Sequence, residues 1–127
     1  MNCFTLSLAF LALTTPAFAE GPKDAVDALI AAMTSGDAAA VEGSFTPDAG
    51  YAYSLDGDLT RGDGFDAWIT SDITGPGSQF KIESETVTSD TVDALVIWGR
   101  GGAVPSPARY VFTIVDGKID SWRMTNR

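Results

Sequence analysis

The spacing of apolar residues changes once along this chain, at Gly75-Pro76-Gly77. Before that break they recur as on the face of a helix; after it they alternate as in strands. Helices grouped ahead of a run of strands joined mostly by hairpins, with one short strand among them, make an α+β domain. The length, 127 residues, fits one domain with a single core.

In the helical block, Val26, Leu29, Ile30 and Met33 fall at i, i+3, i+4 and i+7 and line one helix face. Ser35-Gly36 ends that helix, and Asp37 is placed to cap a shorter one carrying Ala38, Val41 and Phe45. Thr46-Pro47-Asp48 stops it, since proline disfavours helical backbone in the residue before it. A short strand over 50–54, with Tyr51 and Tyr53 on one face, leads into a turn-rich acidic loop over 55–64. A third helix then begins near Asp63, with Phe65, Trp68, Ile69 and Ile73 on its apolar face, and Gly75-Pro76-Gly77 ends it. Four strands follow, over 79–88, 92–100, 109–115 and 119–125, the last two joined by the hairpin turn Asp116-Gly117. Residues 94–98 are apolar on both faces, which predicts a central strand covered on both sides.

Residues 1–19 have the pattern of a secretory signal peptide: an apolar run from Phe4 to Leu13, then Ala17-Phe18-Ala19 before Glu20. No Lys or Arg precedes that run, so a buried N-terminal helix is the competing reading. The expected organisation is a signal over 1–19 and a domain over 20–127, giving a secreted or periplasmic protein. Cys3, the single cysteine, lies upstream of the cleavage point. The mature chain then has no disulfide, no Cys nucleophile and no thiolate metal site.

Composition removes several function classes. With 8 Lys and Arg against 17 Asp and Glu, the net charge is −9, which argues against nucleic acid as a partner and against anionic membranes after signal cleavage. The chain has no histidine, so imidazole bases, Ser-His-Asp and Cys-His sites and His-ligated zinc are all absent. The loop Asp56-Gly57-Asp58-Leu59-Thr60-Arg61-Gly62-Asp63 resembles a calcium loop only until Arg61, which stands where that loop requires glycine. No metal and no cofactor are expected.

The landmarks Ser35-Gly36-Asp37, Ser44-Phe45, Pro47-Asp48-Ala49, Arg61-Gly62 and Asp116-Gly117-Lys118-Ile119 span residues 24–124. In their order and spacing the chain resembles the SnoaL-like branch of the NTF2-like superfamily. The resemblance implies a cone: a strongly curved, mostly antiparallel sheet wrapped around three N-terminal helices, with a pocket at its open end. It also implies relatives that include isomerases, cyclases, dehydratases and pure binders, many of them dimers through the outer sheet face. Counting along the landmarks puts Leu29 where ketosteroid-isomerase relatives carry a tyrosine, Tyr53 where they carry the proton-moving aspartate, and Tyr110 at the second oxyanion donor. The proton-abstracting machinery of those relatives is therefore missing.

Tyr53, Trp68, Trp98, Tyr110 and Trp122 are the candidate ligand-binding residues. For each tryptophan the plainer alternative is a core side chain, and for Tyr53 a ring capping the core with its hydroxyl in water. Asp120 shares strand parity with Trp122 and Met124 and is the weak catalytic candidate; its plainer reading is a solvent-facing position beside the hairpin. Arg100 and Arg123 suit a ligand carboxylate, or else neutralise nearby acids. The leading expectation is a small-molecule-binding protein whose aromatic-lined pocket takes a small apolar or aromatic molecule. Its rivals are a cofactor-free isomerase, dehydratase or cyclase using Asp120 or the Asp56/Asp58 loop with Tyr53, and an interaction module or homodimer formed through Val111 and Val115.

Overall fold

A computed structural model describes residues 21–100 and 105–127. The proposed signal over 1–19 and part of the loop before Ser106 lie outside them.

Helix α1 (Pro22–Ser35) opens with proline in its first turn and Asp24 bonded to the Gly21 amide, and Gly36 closes it at φ 72°. Only glycine adopts that backbone cheaply. Helix α2 (Ala38–Glu42) is capped by Asp37, which accepts from the Ala40 amide at 3.1 Å. It ends one turn earlier than its apolar spacing predicts. Phe45 is not on α2 but opens strand β1 (Phe45–Ala52), because pairing with Ile119 of the last strand outweighs one more helical turn. The β1 register then jumps from Phe45↔Ile119 to Gly50↔Ser121. Pro47 sits in that bulge, where its missing N–H breaks no ladder bond.

The acidic loop contains a short strand, β2 (Thr60–Arg61), that sequence spacing does not reveal. Helix α3 (Asp63–Trp68) continues as a π-helical stretch, Ile69–Thr74. Strands β3 (Gln79–Val87), β4 (Thr91–Gly99), β5 (Ser106–Val115) and β6 (Lys118–Thr125) form the hairpin series. The sheet order is β2-β1-β6-β5-β4-β3, with β1 and β6 parallel and every other pairing antiparallel. Register shifts in β3 and at the β5/β6 hairpin add local twist, bending the sheet around the helices into the expected α+β cone.

Val26 and Leu29 of α1 meet Val92, Val96, Phe112, Ile119 and Trp122 in one core, all fully buried. Strand β4 departs from expectation. It lies next to the β3 edge, with Val92, Ala94 and Val96 buried but Asp93, Leu95 and Ile97 only half-buried. Among the described residues all helices pack on one face of the sheet, so apolar residues on the other face of β4 do not mean two-sided cover.

Candidate functional site

The π-helical turn builds the site. It follows directly on Trp68, whose ring stacks on Tyr51 at 4.2 Å between centroids. The chain leaving β1 then brings Tyr53 alongside. Although 64% of Tyr53 is exposed, its hydroxyl turns inward, accepting from Trp68 Nε1 at 2.7 Å and donating to Asp72 Oδ2 at 2.9 Å. Asp72 Oδ1 accepts from Ser71 at 2.8 Å, and its backbone carbonyl accepts from Ser78 at 2.6 Å. An Arg100 nitrogen lies 3.6 Å from Asp72 Oδ2, and the guanidinium stands 5.7 Å over the Trp98 ring, a cation–π arrangement.

This cluster forms the rim of a cavity of about 220 Å³. Its apolar wall comes from α1 (Met33), the π-helical turn (Ile73) and the inner face of the sheet (Trp98, Ala108, Tyr110, Trp122, Met124). All five aromatic candidates, Tyr53, Trp68, Trp98, Tyr110 and Trp122, therefore line a single cavity. Burial pushes the Tyr110 phenol well above the ordinary tyrosine range. The Tyr53 phenol is raised more modestly: desolvation lifts it, the Trp68 hydrogen bond opposes, and the Asp72 carboxylate adds to the rise.

Trp122 is wholly buried in an aromatic nest with Phe45, Trp68, Phe80, Tyr110 and Phe112. Its indole nitrogen is the one buried side-chain polar atom without a hydrogen-bond partner among the described residues. An unmet buried donor costs about 1–3 kcal/mol.

Two expectations need correction. Strand parity places Asp120 beside Trp122 and Met124, but β6 is bulged there: Thr113 pairs with Ser121 while Ile114 pairs with Ile119. The extra residue turns Asp120 off the inner face, where it accepts from Thr46 at 2.8 Å and takes no part in the cavity wall. Among the described residues Arg123 pairs with no carboxylate. It donates to the carbonyls of Gly57 (2.8 Å) and Ser54 (3.4 Å), fastening the loop that follows Tyr53. Sequence reasoning missed Asp72. It lies four residues after Trp68, a spacing that puts both on one helix face, and that was the available signal.

No protein-family model and no curated protein matches the sequence. Among solved structures, an NTF2-like protein of unknown function from Cytophaga hutchinsonii superposes with a TM-score of 0.66 at 14% identity, over 81% of this chain and 87% of that one. The chain has the NTF2-like fold. SalBIII, an epoxide hydrolase/cyclase-like enzyme in pyran ring formation of the polyether salinomycin, aligns with a TM-score of 0.69 at 18% identity, over 82% and 88% of the two chains. RV0760c of Mycobacterium tuberculosis, in complex with estradiol-17β-hemisuccinate, aligns with a TM-score of 0.66 at 12% identity, over 81% and 91%. NTF2-like domains with such neighbours share architecture, and function is argued from the site.

Proposed function

We propose that this NTF2-like domain is a secreted or periplasmic binder of a small, largely apolar, ring-containing molecule held in the cone cavity. The carrying observation is the convergence of Trp68, Trp98, Tyr110 and Trp122 on one hollow with a polar rim at Tyr53, Asp72 and Arg100. Ligand pockets commonly have this apolar lining with a few placed polar groups. At about 220 Å³ the space is below the roughly 300 Å³ typical of drug-sized ligands and above the roughly 150 Å³ that takes benzene. One ring with a short substituent is the matching size. The steroid-like ligand of RV0760c supports apolar binding by this fold, while the volume here favours something smaller. A one-ring library tested by thermal shift and tryptophan fluorescence checks this. Ligand at a hundred times Kd adds about 2.7 kcal/mol, so flat melting temperatures across apolar and aromatic compounds would sink the reading.

Asp72 favours a second reading, a cofactor-free isomerase, dehydratase or cyclase in which it carries the proton. Against it, Tyr53 and Ser71 already occupy both carboxylate oxygens. A turned-over substrate whose rate is unchanged by Asp72→Asn removes this reading. The half-buried outer face around Leu95, Ile97 and Val111 is proposed as a homodimer surface; a strict monomer in light scattering at micromolar concentration excludes it.

A further inference from the structure

We propose that a second groove, between the third helix and the start of β1, docks an extended segment of a partner protein that carries Lys or Arg beside an apolar side chain. The groove holds about 400 Å³ and shares no lining residue with the cone cavity, so nothing here depends on what that cavity binds. Its floor is apolar: Phe45 and Ala49 of β1 with Phe65 and Ile69 of the third helix, all buried, the two phenylalanine rings edge to face at 5.0 Å. Glu42, the last residue of α2, and Asp66 of α3 stand on its walls, both exposed. Thr46, Pro47 and Ala49 line it as well. β2 pairs with β1 only at Gly50 and Tyr51, and the β6 register passes from Phe45 directly to Gly50. Residues 46–49 therefore have no paired residue in either neighbouring strand. An extended chain adds to such an open stretch through its main chain. Pro47 has no N–H to offer, so that pairing is partial and side chains must select the segment.

Charge decides which segment fits. Residues 42–66 hold the exposed carboxylates Glu42, Asp48, Asp56, Asp58, Asp63 and Asp66 against one cation, Arg61. None of these carboxylates is in an ion pair among the described residues, and Arg61 donates to the Asp48 carbonyl. The field over this stretch is negative and draws cations. A second copy of the chain, itself at net charge −9, is disfavoured by like-charge repulsion. A single small cation would engage Glu42 and Asp66 but leave the open strand stretch and the remaining carboxylates unused. A basic chain with one apolar side chain uses the floor, the open strand and the charge together.

The test presents the full protein with an array of short peptides in which Lys or Arg, Leu or Phe, Asp or Glu, and Gly are permuted, then titrates the best sequence in solution by fluorescence anisotropy. The expected selection is Lys or Arg next to Leu or Phe, with affinity falling as salt is raised. Glu42→Gln combined with Asp66→Asn should weaken that peptide by roughly three- to tenfold, as expected for losing two exposed ion pairs. Asp56→Asn combined with Asp58→Asn makes the same change in charge outside the groove and should weaken it less than about twofold. In the wild type, the amide resonances of Thr46, Asp48 and Ala49 should shift on peptide addition while those of Trp98 and Tyr110 in the cone stay in place, a readout that needs no variant to fold. Selection of no peptide or of acidic ones, equal loss from the two pairs of substitutions, or shifts confined to the cone wall overturns the proposal. n-Butylammonium binding as tightly as the best peptide overturns it too, and makes the groove a small-cation site.

Discussion

The Tyr53 hydroxyl stands 2.7 Å from Trp68 Nε1 and 2.9 Å from Asp72 Oδ2. One largely exposed tyrosine thus ties the loop after β1 to both the α-helical and the π-helical parts of the third helix. It also meets the only hydrogen-bond donor of the Trp68 indole, a buried ring in the cavity wall.

Tyr53→Phe keeps the ring and removes both bonds. The expected cost is about 1 kcal/mol, because water can reach this rim and replace part of the loss. For a domain of this size that is roughly 4 °C in melting temperature. Trp68 emission should shift with it, and a variant matching the wild type in both would show the link to be decorative.

Alkaline pH acts through the tyrosines. Tyr53 and Tyr110 hold their protons more tightly folded than unfolded. The folded protein therefore binds more protons above the ordinary tyrosine pKa of about 10. Stability contributed this way is fully present below that value and is lost as pH rises toward the folded pKa values. Urea midpoints should be level from these groups below about pH 10 and fall above it, and Tyr110→Phe should remove most of the slope. Tyrosinate absorbance from Tyr110 appearing before the near-ultraviolet dichroism is lost would contradict this.

On the acid side the relevant pair is on the outer face. Arg109 binds Asp93 through two bonds of 2.9 and 2.6 Å and holds its carboxyl below the usual range. The stabilisation is present above the unfolded Asp pKa and is lost as pH falls through the lower folded value. Asp93→Asn should be slightly less stable at neutral pH, with the gap to wild type closing in strong acid. A gap independent of pH would assign the effect to packing.

Two carboxylates now separate cleanly. Asp72→Asn should change ligand affinity or selectivity, because it alters the partner of Tyr53 and Arg100 at the rim. Asp120→Asn should leave ligand binding unchanged and lose at most about 1 kcal/mol through its bond to Thr46. The reverse outcome in a binding titration would put the bulge of β6, and not the rim, at the functional centre.

Gly50 of β1 pairs directly with Arg61 of β2. A Cβ there would meet Arg61 Cγ and Leu59 Cβ at 2.9 Å and the Thr60 carbonyl at 3.1 Å. Gly50→Ala is expected to cost about 1–3 kcal/mol by overpacking, read as a lower denaturant midpoint. An unchanged midpoint would mean that β2 moves aside without loss.

The period of the apolar residues made most of the architecture legible: Phe65, Trp68, Ile69 and Ile73 marked the third helix, and alternation marked the hairpin series. It failed where backbone irregularity shifts the count. Pro47 read as a stop signal because nothing local shows that β1 bulges around it and pairs with a strand far along the chain. Strand parity alone put Asp120 on the Trp122 face, because parity assumes a ladder without the extra residue at the β6 bulge; the plainer reading, a position off the inner face beside the hairpin, is the one observed. The aromatic wall was legible because large rings on inner strand positions have few places to go. Asp72 was not, since a lone acid on the edge of an apolar helix stripe looks like a solvated side chain until Tyr53 is seen to reach it.

The parallel pairing of β1 with β6 also sets an order of events. Thr46 bonds Asp120 across 74 positions, so this contact closes a loop of about two-thirds of the domain, the kind of topology that folds slowly. During synthesis β1 and the short β2 wait with one edge unpaired until β6 emerges, and a nascent chain is exposed to mispairing in that interval. Trp122 lies on that same strand, so the cavity acquires its floor only when the sheet is completed.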